Sequence, residues 1–326
     1  MDSIEREEFW KALCKIQDDL PEHIHELVAT IKHPQYLCRF RSVNESSLQQ
    51  LQENKLFFSS ADYYDDPFDT FIHVDFARIK ALYKITRDIL KTNNPDGDVL
   101  FKNVAQIVGI SAEQFVNNLK NDEFDLSSFV YNINHIRTTI QKLLFSICFC
   151  EDELNETLWI KYANNYKGFS LVYDVRDEKT FLCGIEDRCK DCKLMSERPY
   201  IYPVYYSAVP YDATQYALAC LLTGKSLPSQ FGKVLRDASI WQAERISLIK
   251  KKCHEYDQEW RMIRPEMMSK RTYIKMKPHK IILGLKMPDY ERMLVISAAR
   301  LAGISTIEEL YINDLDQLAS RVLVQA

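Results

Sequence analysis

Carboxylates are the residues whose types and spacing most directly suggest chemistry in this sequence. The stretch FFSSADYYDDPFD at positions 57–69 carries four of them among aromatic rings, and HEYDQEWRMI carries Glu259. Carboxylate oxygens bind hard cations such as Mg²⁺ or Mn²⁺, which support phosphodiester cleavage. Asp65, Asp66 and Asp69, together with Glu259 and Lys167, therefore form a candidate site for a metal-dependent nuclease or phosphodiesterase.

The turn residues of the same stretch offer a structural explanation for part of it. Pro67 biases the residue before it towards extended conformations, and Asp side chains accept hydrogen bonds at turns and helix starts. Asp69 stands just ahead of a helix predicted to begin near Thr70, where it would serve as the N-cap. A structural role for at least one of these carboxylates is therefore expected, and the metal-dependent site is kept as an alternative hypothesis.

A group of cysteines suggests a second kind of site, a structural zinc site. Cys183, Cys189 and Cys192 lie within CGIEDRCKDC and include one CxxC pair. A tetrahedral site needs a fourth ligand, for which Cys253 and His254 are the candidates. A second CxxC pair is absent, so the alternative of three reduced thiols in a surface loop is favoured.

Composition and motifs narrow the classes of function. The 42 basic and 46 acidic residues nearly cancel, so net charge does not indicate binding to nucleic acid or to an anionic membrane. The charged start and the lack of a long apolar run predict a cytoplasmic protein without membrane contact, whose nine cysteines are reduced. No HExxH, GxSxG or GxGxxG motif occurs, which argues against the common metalloproteases, hydrolases and doubly wound dinucleotide-binding folds.

Strands alternate with long helical blocks, and these elements must position the candidate residues. Apolar and aromatic patterns predict strands at 36–42, 56–60, 145–150, 168–175, 280–285 and 307–314. Helical periodicity predicts a helix over 3–20 that Ser3 caps and Pro21 ends, a helix over 71–90 and a helix over 126–144. Residues 227–252 are predicted to be mostly helical, and 290–303 to form a late helix.

This arrangement predicts an α+β fold rather than a run of βαβ units. We expect a helical segment at residues 1–33, followed by one α+β domain at 34–326 with a central mixed or antiparallel sheet. A helical insertion of about residues 70–142 would interrupt that domain.

Several motifs, taken together, resemble an uncharacterised bacterial family, domain-of-unknown-function family 2971. They are RFRS at 39–42, LFFSS at 56–60 with DPFD at 66–69, LW, YA and KGF within 158–169, and Tyr256 with EWR at 259–261. Members of the family carry YKYRS, LYFSSPxxFNDPFD, LWxxYAxxxKGF and YExEWR in the same order. Ala61, Asp65 and Asp257 depart from that pattern, which usually has Pro, Asn and Glu there.

The order of these motifs is also similar, more remotely, to that of ADP-ribosyltransferases. That resemblance implies a split sheet on which an early Arg anchors NAD, a Ser-bearing strand lines the nicotinamide pocket, and a late Glu stabilises the oxocarbenium ion formed as nicotinamide leaves. It implies that Arg41, Ser59 and Glu259 are the catalytic residues and that NAD is the substrate. Positive charge developing at a ribose carbon requires a preorganised anion close by.

The same resemblance suggests ligand-binding roles. Arg39 or Arg41 would hold the pyrophosphate through its planar guanidinium, Phe58 would line the nicotinamide side, and Trp159 or Tyr162 would stack on a ring. The alternative is that the aromatic residues belong to the core, that the arginines are exposed or paired, and that Glu259 forms an ion pair with Arg261 or with a lysine of 250–252. The candidate ligand-binding residues are Arg39, Phe58, Asp66, Asp69, Trp159, Tyr162, Lys167, Tyr256 and Arg261.

The favoured hypothesis is therefore an NAD-using, ADP-ribosyltransferase-like enzyme or NAD glycohydrolase. Its acceptor would be a protein or a nucleic acid, and its role that of a bacterial toxin or antiphage defence effector. The alternatives are the metal-dependent nuclease and a non-catalytic module that binds a protein partner through the helical insertion. Nicotinamide release, metal-dependent cleavage or neither activity would distinguish the three.

Overall fold

A computed structural model of the chain describes residues 1–16, 21–78, 111, 113, 126–182, 200–217, 241–265 and 273–325. The helices with defined bounds are α1 (Ser3–Lys15), α2 (Pro21–Ala29), α3 (Glu45–Gln52), α4 (Leu126–Leu143), α5 (Glu156–Lys161), α6 (Gln242–Ser247) and α7 (Asp289–Leu301). The strands are β1 (Tyr36–Arg41), β2 (Lys55–Phe57), β3 (Ser59–Ser60), β4 (Leu144–Cys150), β5 (Phe169–Asp174), β6 (Phe181–Leu182), β7 (Ile201–Pro203), β8 (Tyr205–Ser207), β9 (Ile249–Lys251), β10 (Glu259–Pro265), β11 (Tyr273–Met276), β12 (Lys280–Leu283), β13 (Thr306–Ile312) and β14 (Leu318–Gln325).

A large mixed sheet forms the centre of the fold. Across the described residues its strands run in the order β14, β13, β12, β5, β1, β4, β10, β7, and β3 pairs with β4 as well. Strands β12 and β13 are parallel, and the other neighbours are antiparallel. The predicted α+β class with a mixed sheet is confirmed.

The alternation of residue types along β4 shows how the sequence builds this sheet. Ile147 and Phe149 point into the main hydrophobic core, and Ser146 and Cys148 alternate with them on the opposite face. Strand β10 repeats the pattern, because Trp260 and Met262 are core residues and lie opposite Phe149 and Ile147. One face of these two strands is therefore apolar, and the other face is available for a site.

The β1–β4 contact contains a split that determines where the site lies. Strand β1 pairs with β5 over its whole length, from Tyr36 to Arg41, but with β4 only through Cys38 opposite Cys150. Farther along the same edge of β4, β3 takes the place of β1, with Ser59 opposite Ser146. The sheet consequently opens between the second half of β1 and the middle of β4.

The N-terminal helix packs into the same core as the sheet. Phe9 and Leu13 of α1 are fully buried in the main hydrophobic cluster, and Phe9 stacks on Tyr202 of β7. Helix α1 thus contributes directly to the core that supports the central strands. Within the described ranges, no helix combines the length and hydropathy needed to cross a bilayer.

The boundaries predicted for the first helix were wrong at both ends. Asp2, not Ser3, is the N-cap, because its carboxylate accepts from the Glu5 amide and Glu5 returns the bond in a capping box. The helix ends at Lys15, and Pro21 begins α2 instead of ending α1, since a proline lacks an N–H that the first helical position does not need.

Two further helix predictions are corrected. Residues 71–75 are not helical: His73 forms a bridge with Asp212, and the helix described from residue 76 is capped by the carboxylate of Asp75. Residues Ile249–Lys251 form β9, which pairs parallel to β8, because pairing across the chain overrides their local pattern. Residues 79–90 of the first prediction lie outside the described part.

Candidate functional site

A cavity of about 510 Å³ occupies the split in the sheet. This volume is within the range of small-molecule sites in proteins. Arg39 and Arg41 of β1 form one part of its wall, and Cys148 of β4 with Glu259 and Arg261 of β10 form another part. The rim carries residues from β3, from the turn that follows it, from α5 and from the segment before β10, namely Ser59, Tyr63, Asp65, Asp66, Lys161, Tyr162, His254 and Asp257.

Five buried charged side chains lie along the β10 wall. Arg261 donates from Nη1 and Nη2 to the two oxygens of Asp69, at 2.8 and 2.6 Å, and from Nε to Oε1 of Glu259 at 2.6 Å. Lys250 donates to Oε2 of Glu259 at 3.0 Å and to Asp257 at 2.7 Å. Solvent hardly reaches this network, since the five side chains are each 1–9% exposed.

The same network fixes the ionisation of Glu259. Burial alone would raise the pKa of this carboxyl, but the charges of Arg261 and Lys250 lower it well below its usual range. The pKa of Arg261 is raised far above its ordinary value, since Asp69 and Glu259 outweigh the effect of burial. Glu259 is therefore an ionised carboxylate held at the cavity wall by two cations.

Asp69 belongs to this network, and the predicted N-cap role is wrong. Its side chain is bound bidentately by Arg261 and accepts from the Thr70 hydroxyl at 3.1 Å, and no described helix begins at Thr70, whose φ is +52°. Asp66 shapes the turn, because its Oδ1 accepts from the Phe68 amide at 2.9 Å. Its Oδ2 lies 3.2 Å from Nε2 of His254.

The wall formed by β1 is cationic. Arg39 lies 5.8 Å from the Phe149 ring, and its Nη1 is buried without a hydrogen-bond partner in the described part of the chain. Burial lowers the pKa of Arg39, although its guanidinium stays charged at neutral pH. A buried guanidinium nitrogen without a hydrogen bond is energetically costly.

The loop after α5 sets the position of Arg41. A Cβ added at Gly168 would lie 2.0 Å from the carbonyl oxygen of Arg41, so only glycine permits this approach. Three consecutive residues before it, Asn164 to Tyr166, have positive φ and form the tight turn that brings Gly168 there. The KGF motif thus places the end of β1 at the cavity.

The structure brings together most of the sequence-predicted residues. Arg41, Ser59 and Glu259 all line the cavity, as do the predicted ligand-binding residues Arg39, Asp66, Asp69, Tyr162 and Arg261. Tyr162 is 42% exposed, and burial together with the nearby Asp65 raises the pKa of its hydroxyl. A ring that is half exposed at the rim can stack on a ligand.

Four predicted ligand-binding residues do not line the cavity. Phe58 is buried in the main core, and Trp159 is fully buried, packs edge-on against Phe40 and donates to the carbonyl of Glu153. Lys167 and Tyr256 are exposed on the surface. Phe58 and Trp159 are therefore core residues, as the alternative interpretation predicted.

Several cavity residues were not predicted. Lys250 was assigned to a helix, and Tyr64, Ser146 and Cys148 were not considered, although Tyr64 hydrogen-bonds to Ser146 and lies 5.2 Å from the Arg261 guanidinium. The alternation of small polar residues with Ile147 and Phe149 in FSICFC was the signal that could have revealed this polar face. Burial raises the pKa of the Cys148 thiol to about 11.

Only some of the residues predicted to bind a metal lie within the described part of the chain. Cys183, Cys189 and Cys192 lie outside the described residues. Of the two candidates for a fourth zinc ligand, Cys253 is exposed and His254 is beside Asp66. In the portion of the chain that is described, no group of three or more His, Cys, Asp or Glu side chains is arranged to hold a metal ion.

Comparison with protein-family models, curated proteins and solved structures found no match to this chain. The resemblances to domain-of-unknown-function family 2971 and to ADP-ribosyltransferases stay predictions from the sequence.

Proposed function

We propose that the protein is an NAD-using enzyme of the ADP-ribosyltransferase type, acting at the cavity in the split sheet. The observation that carries the proposal is that one cavity is lined by Arg39 and Arg41 of β1 and by the ionised Glu259 of β10. NAD has a matching charge distribution, because its pyrophosphate is anionic and its nicotinamide ring is cationic. The reaction also develops positive charge on the ribose.

The cationic wall would bind the pyrophosphate. Arg39 and Arg41 both line the cavity, and a charge-assisted hydrogen bond from a guanidinium to the phosphate oxygens would be stronger than a neutral one. Arg41 lies two residues farther along the same strand, so that both side chains project to the same side of β1. Lys161 at the rim adds a further positive charge.

Glu259 would act where the glycosidic bond breaks. As nicotinamide leaves with the electron pair of the C1′–N bond, the ribose becomes an oxocarbenium ion, and a fixed carboxylate lowers its energy. The acceptor then bonds to C1′ and releases its proton, and with water as the acceptor the product is ADP-ribose. Arg261 and Lys250 preorganise Glu259, since Oε1 accepts a hydrogen bond from Arg261 and Oε2 accepts one from Lys250.

The arrangement of the carboxylates favours this function over the metal-dependent nuclease. Both oxygens of Asp69 bond to Arg261, and those of Glu259 bond to Arg261 and Lys250. A hard cation would have to displace these bonds to take the same oxygens as ligands. A toxin or antiphage effector role, with a protein or nucleic-acid acceptor, is part of the proposal and follows from the sequence resemblance.

The proposal is tested by nicotinamide release from NAD and by transfer of labelled ADP-ribose to candidate acceptors. Glu259→Gln should lower the rate at least about 100-fold, the usual effect of removing a preorganised electrostatic group. Glu308→Gln is the matched control, because Glu308 is also a buried carboxylate with a lysine partner, Lys280 at 3.0 Å, but does not line the cavity. Absence of NAD turnover by the wild type, or full activity in Glu259→Gln, would contradict the assignment.

A further inference from the structure

Arg6 of helix α1 is a buried cation whose bonds reach the strand that carries Glu259. The side chain is 95% buried. Its Nη1 donates to the carbonyl oxygen of Val204 at 2.8 Å and to the carbonyl oxygen of Glu259 at 2.9 Å. A helix that the sequence separates from β10 by more than two hundred residues therefore bonds directly to the backbone of the proposed catalytic residue.

The guanidinium of Arg6 also engages the residue after Glu259. It lies 5.5 Å from the Trp260 ring, and its Nη2 is 3.3 Å from Oε2 of Glu151. The same Glu151 oxygen accepts from the indole N–H of Trp260 at 2.8 Å. Arg6, Glu151 and Trp260 thus form one connected group on the core side of β10, opposite the cavity.

The backbone amide and carbonyl of Glu259 make further hydrogen bonds. Its amide donates to the Tyr206 hydroxyl at 2.7 Å, and its carbonyl accepts from the Val204 amide at 3.0 Å in addition to Arg6. The side chain is fixed at its other end by Arg261 and Lys250. Both ends of Glu259 are consequently constrained, one by the charged network and one by Arg6 and its neighbours.

We infer that Arg6 is a positioning residue for Glu259, so that α1 completes the site from behind the sheet. The inference rests on the proposed function for its catalytic consequence. Misplacement of a reacting group by about 1 Å can cost about 100-fold in rate. Loss of Arg6 would leave the carbonyl of Glu259 with only the Val204 amide as a donor among the bonds described, which would loosen this end of the residue and shift the carboxylate.

A simpler role for Arg6 is to anchor α1, and Arg245 provides the comparison. Arg245 is also a buried arginine that holds α1 through backbone carbonyls, because it donates to Leu13 at 3.1 Å and to Ile16. It does not line the cavity and has no bond to Glu259 among those described. Arg245→Met therefore removes the same kind of anchor from the same helix without touching β10.

The experiment compares Arg6→Met with Arg245→Met in NAD turnover, at a temperature where circular dichroism shows both folded. Arg6→Met should lower kcat about 10- to 100-fold with KM within about twofold, whereas Arg245→Met should keep kcat within about twofold of the wild type. Equal kcat values for the two variants, or a change confined to KM, would overturn the positioning role.

Hydrogen exchange separates this inference from the proposed function. Arg6→Met should speed amide exchange in the peptide spanning 257–261, and Arg245→Met should speed it only around the end of α1. Wild-type protein that does not turn over NAD would refute the proposed function alone, and the exchange data would still decide whether Arg6 holds β10. Unchanged exchange at 257–261 in Arg6→Met would refute the inference even in an active enzyme.

Discussion

The substitution Asp69→Asn isolates the charge of one carboxylate in the buried network. Asp69 is 3% exposed, and its two oxygens accept from Arg261 at 2.8 and 2.6 Å. Asparagine has the same shape, but its amide nitrogen would face a guanidinium donor. Removing one partner from a buried ion pair typically costs about 3–5 kcal/mol, because the other charge is left without compensation.

The same substitution discriminates between the two roles considered for Asp69. Asparagine caps helices as well as aspartate does, so a pure N-cap would lose almost nothing. We expect Asp69→Asn to lower the free energy of unfolding by about 3 kcal/mol, towards the lower end of that range, since Arg261 keeps Glu259 and the Ser247 carbonyl as partners.

Equilibrium urea unfolding followed by tryptophan fluorescence provides the measurement. Glu7→Gln is the control, because Glu7 and Lys11 are 2.7 Å apart but 47% and 64% exposed, and an exposed pair contributes at most about 1 kcal/mol. A cost below about 1 kcal/mol for Asp69→Asn would refute the ion-pair reasoning.

Three other predictions concern acid stability, backbone packing and thiol reactivity. Burial alone would raise the pKa of Glu259, but its pairing with Arg261 and Lys250 depresses that pKa below the ordinary 4.5. The contribution of Glu259 to stability is therefore full above pH 4.5 and is lost on acidification. In acid titration followed by circular dichroism, the wild type should lose stability below about pH 4.5 more steeply than Glu259→Gln. Gly168→Ala should destabilise the fold and displace Arg41, since the new methyl group would overlap its carbonyl oxygen; a lowered melting temperature checks this, and unchanged melting would contradict it. At pH 8, iodoacetamide should label the exposed Cys253 well before Cys148, whose pKa is about 11; mass spectrometry of the digested protein would reveal the reverse order if this is wrong.

Local pattern was sufficient to predict much of the fold. The strands at 36–41, 144–150 and 169–174 and the helices at 126–143 and 289–301 follow from periodicity and turn residues, because apolar faces of these elements must be buried. The predictions that failed, such as the helical form of Ile249–Lys251, concern segments whose conformation depends on a partner distant in sequence.

The site could be predicted only in part for the same reason. Motif order suggested that Arg41, Ser59 and Glu259 share a pocket, and all three line it. The sequence did not indicate that Arg261 would bind Asp69, which is 192 positions away, although the alternative in which Glu259 pairs with Arg261 or a lysine of 250–252 is confirmed. Such contacts arise from strand pairing across the chain, and no local window of sequence contains them.

The burial of the charged network has a consequence for the response to salt. Asp69, Lys250, Glu259 and Arg261 have side chains that are 1–9% exposed, so mobile ions cannot enter the space between them. Exposed charges, by contrast, are screened over about 8–10 Å at physiological ionic strength. The interactions among these four charges should therefore change little from dilute buffer to high salt. Under the proposed function, a dependence of activity on ionic strength would report on the approach of the ligand to the rim, and not on the ion pairs of Glu259.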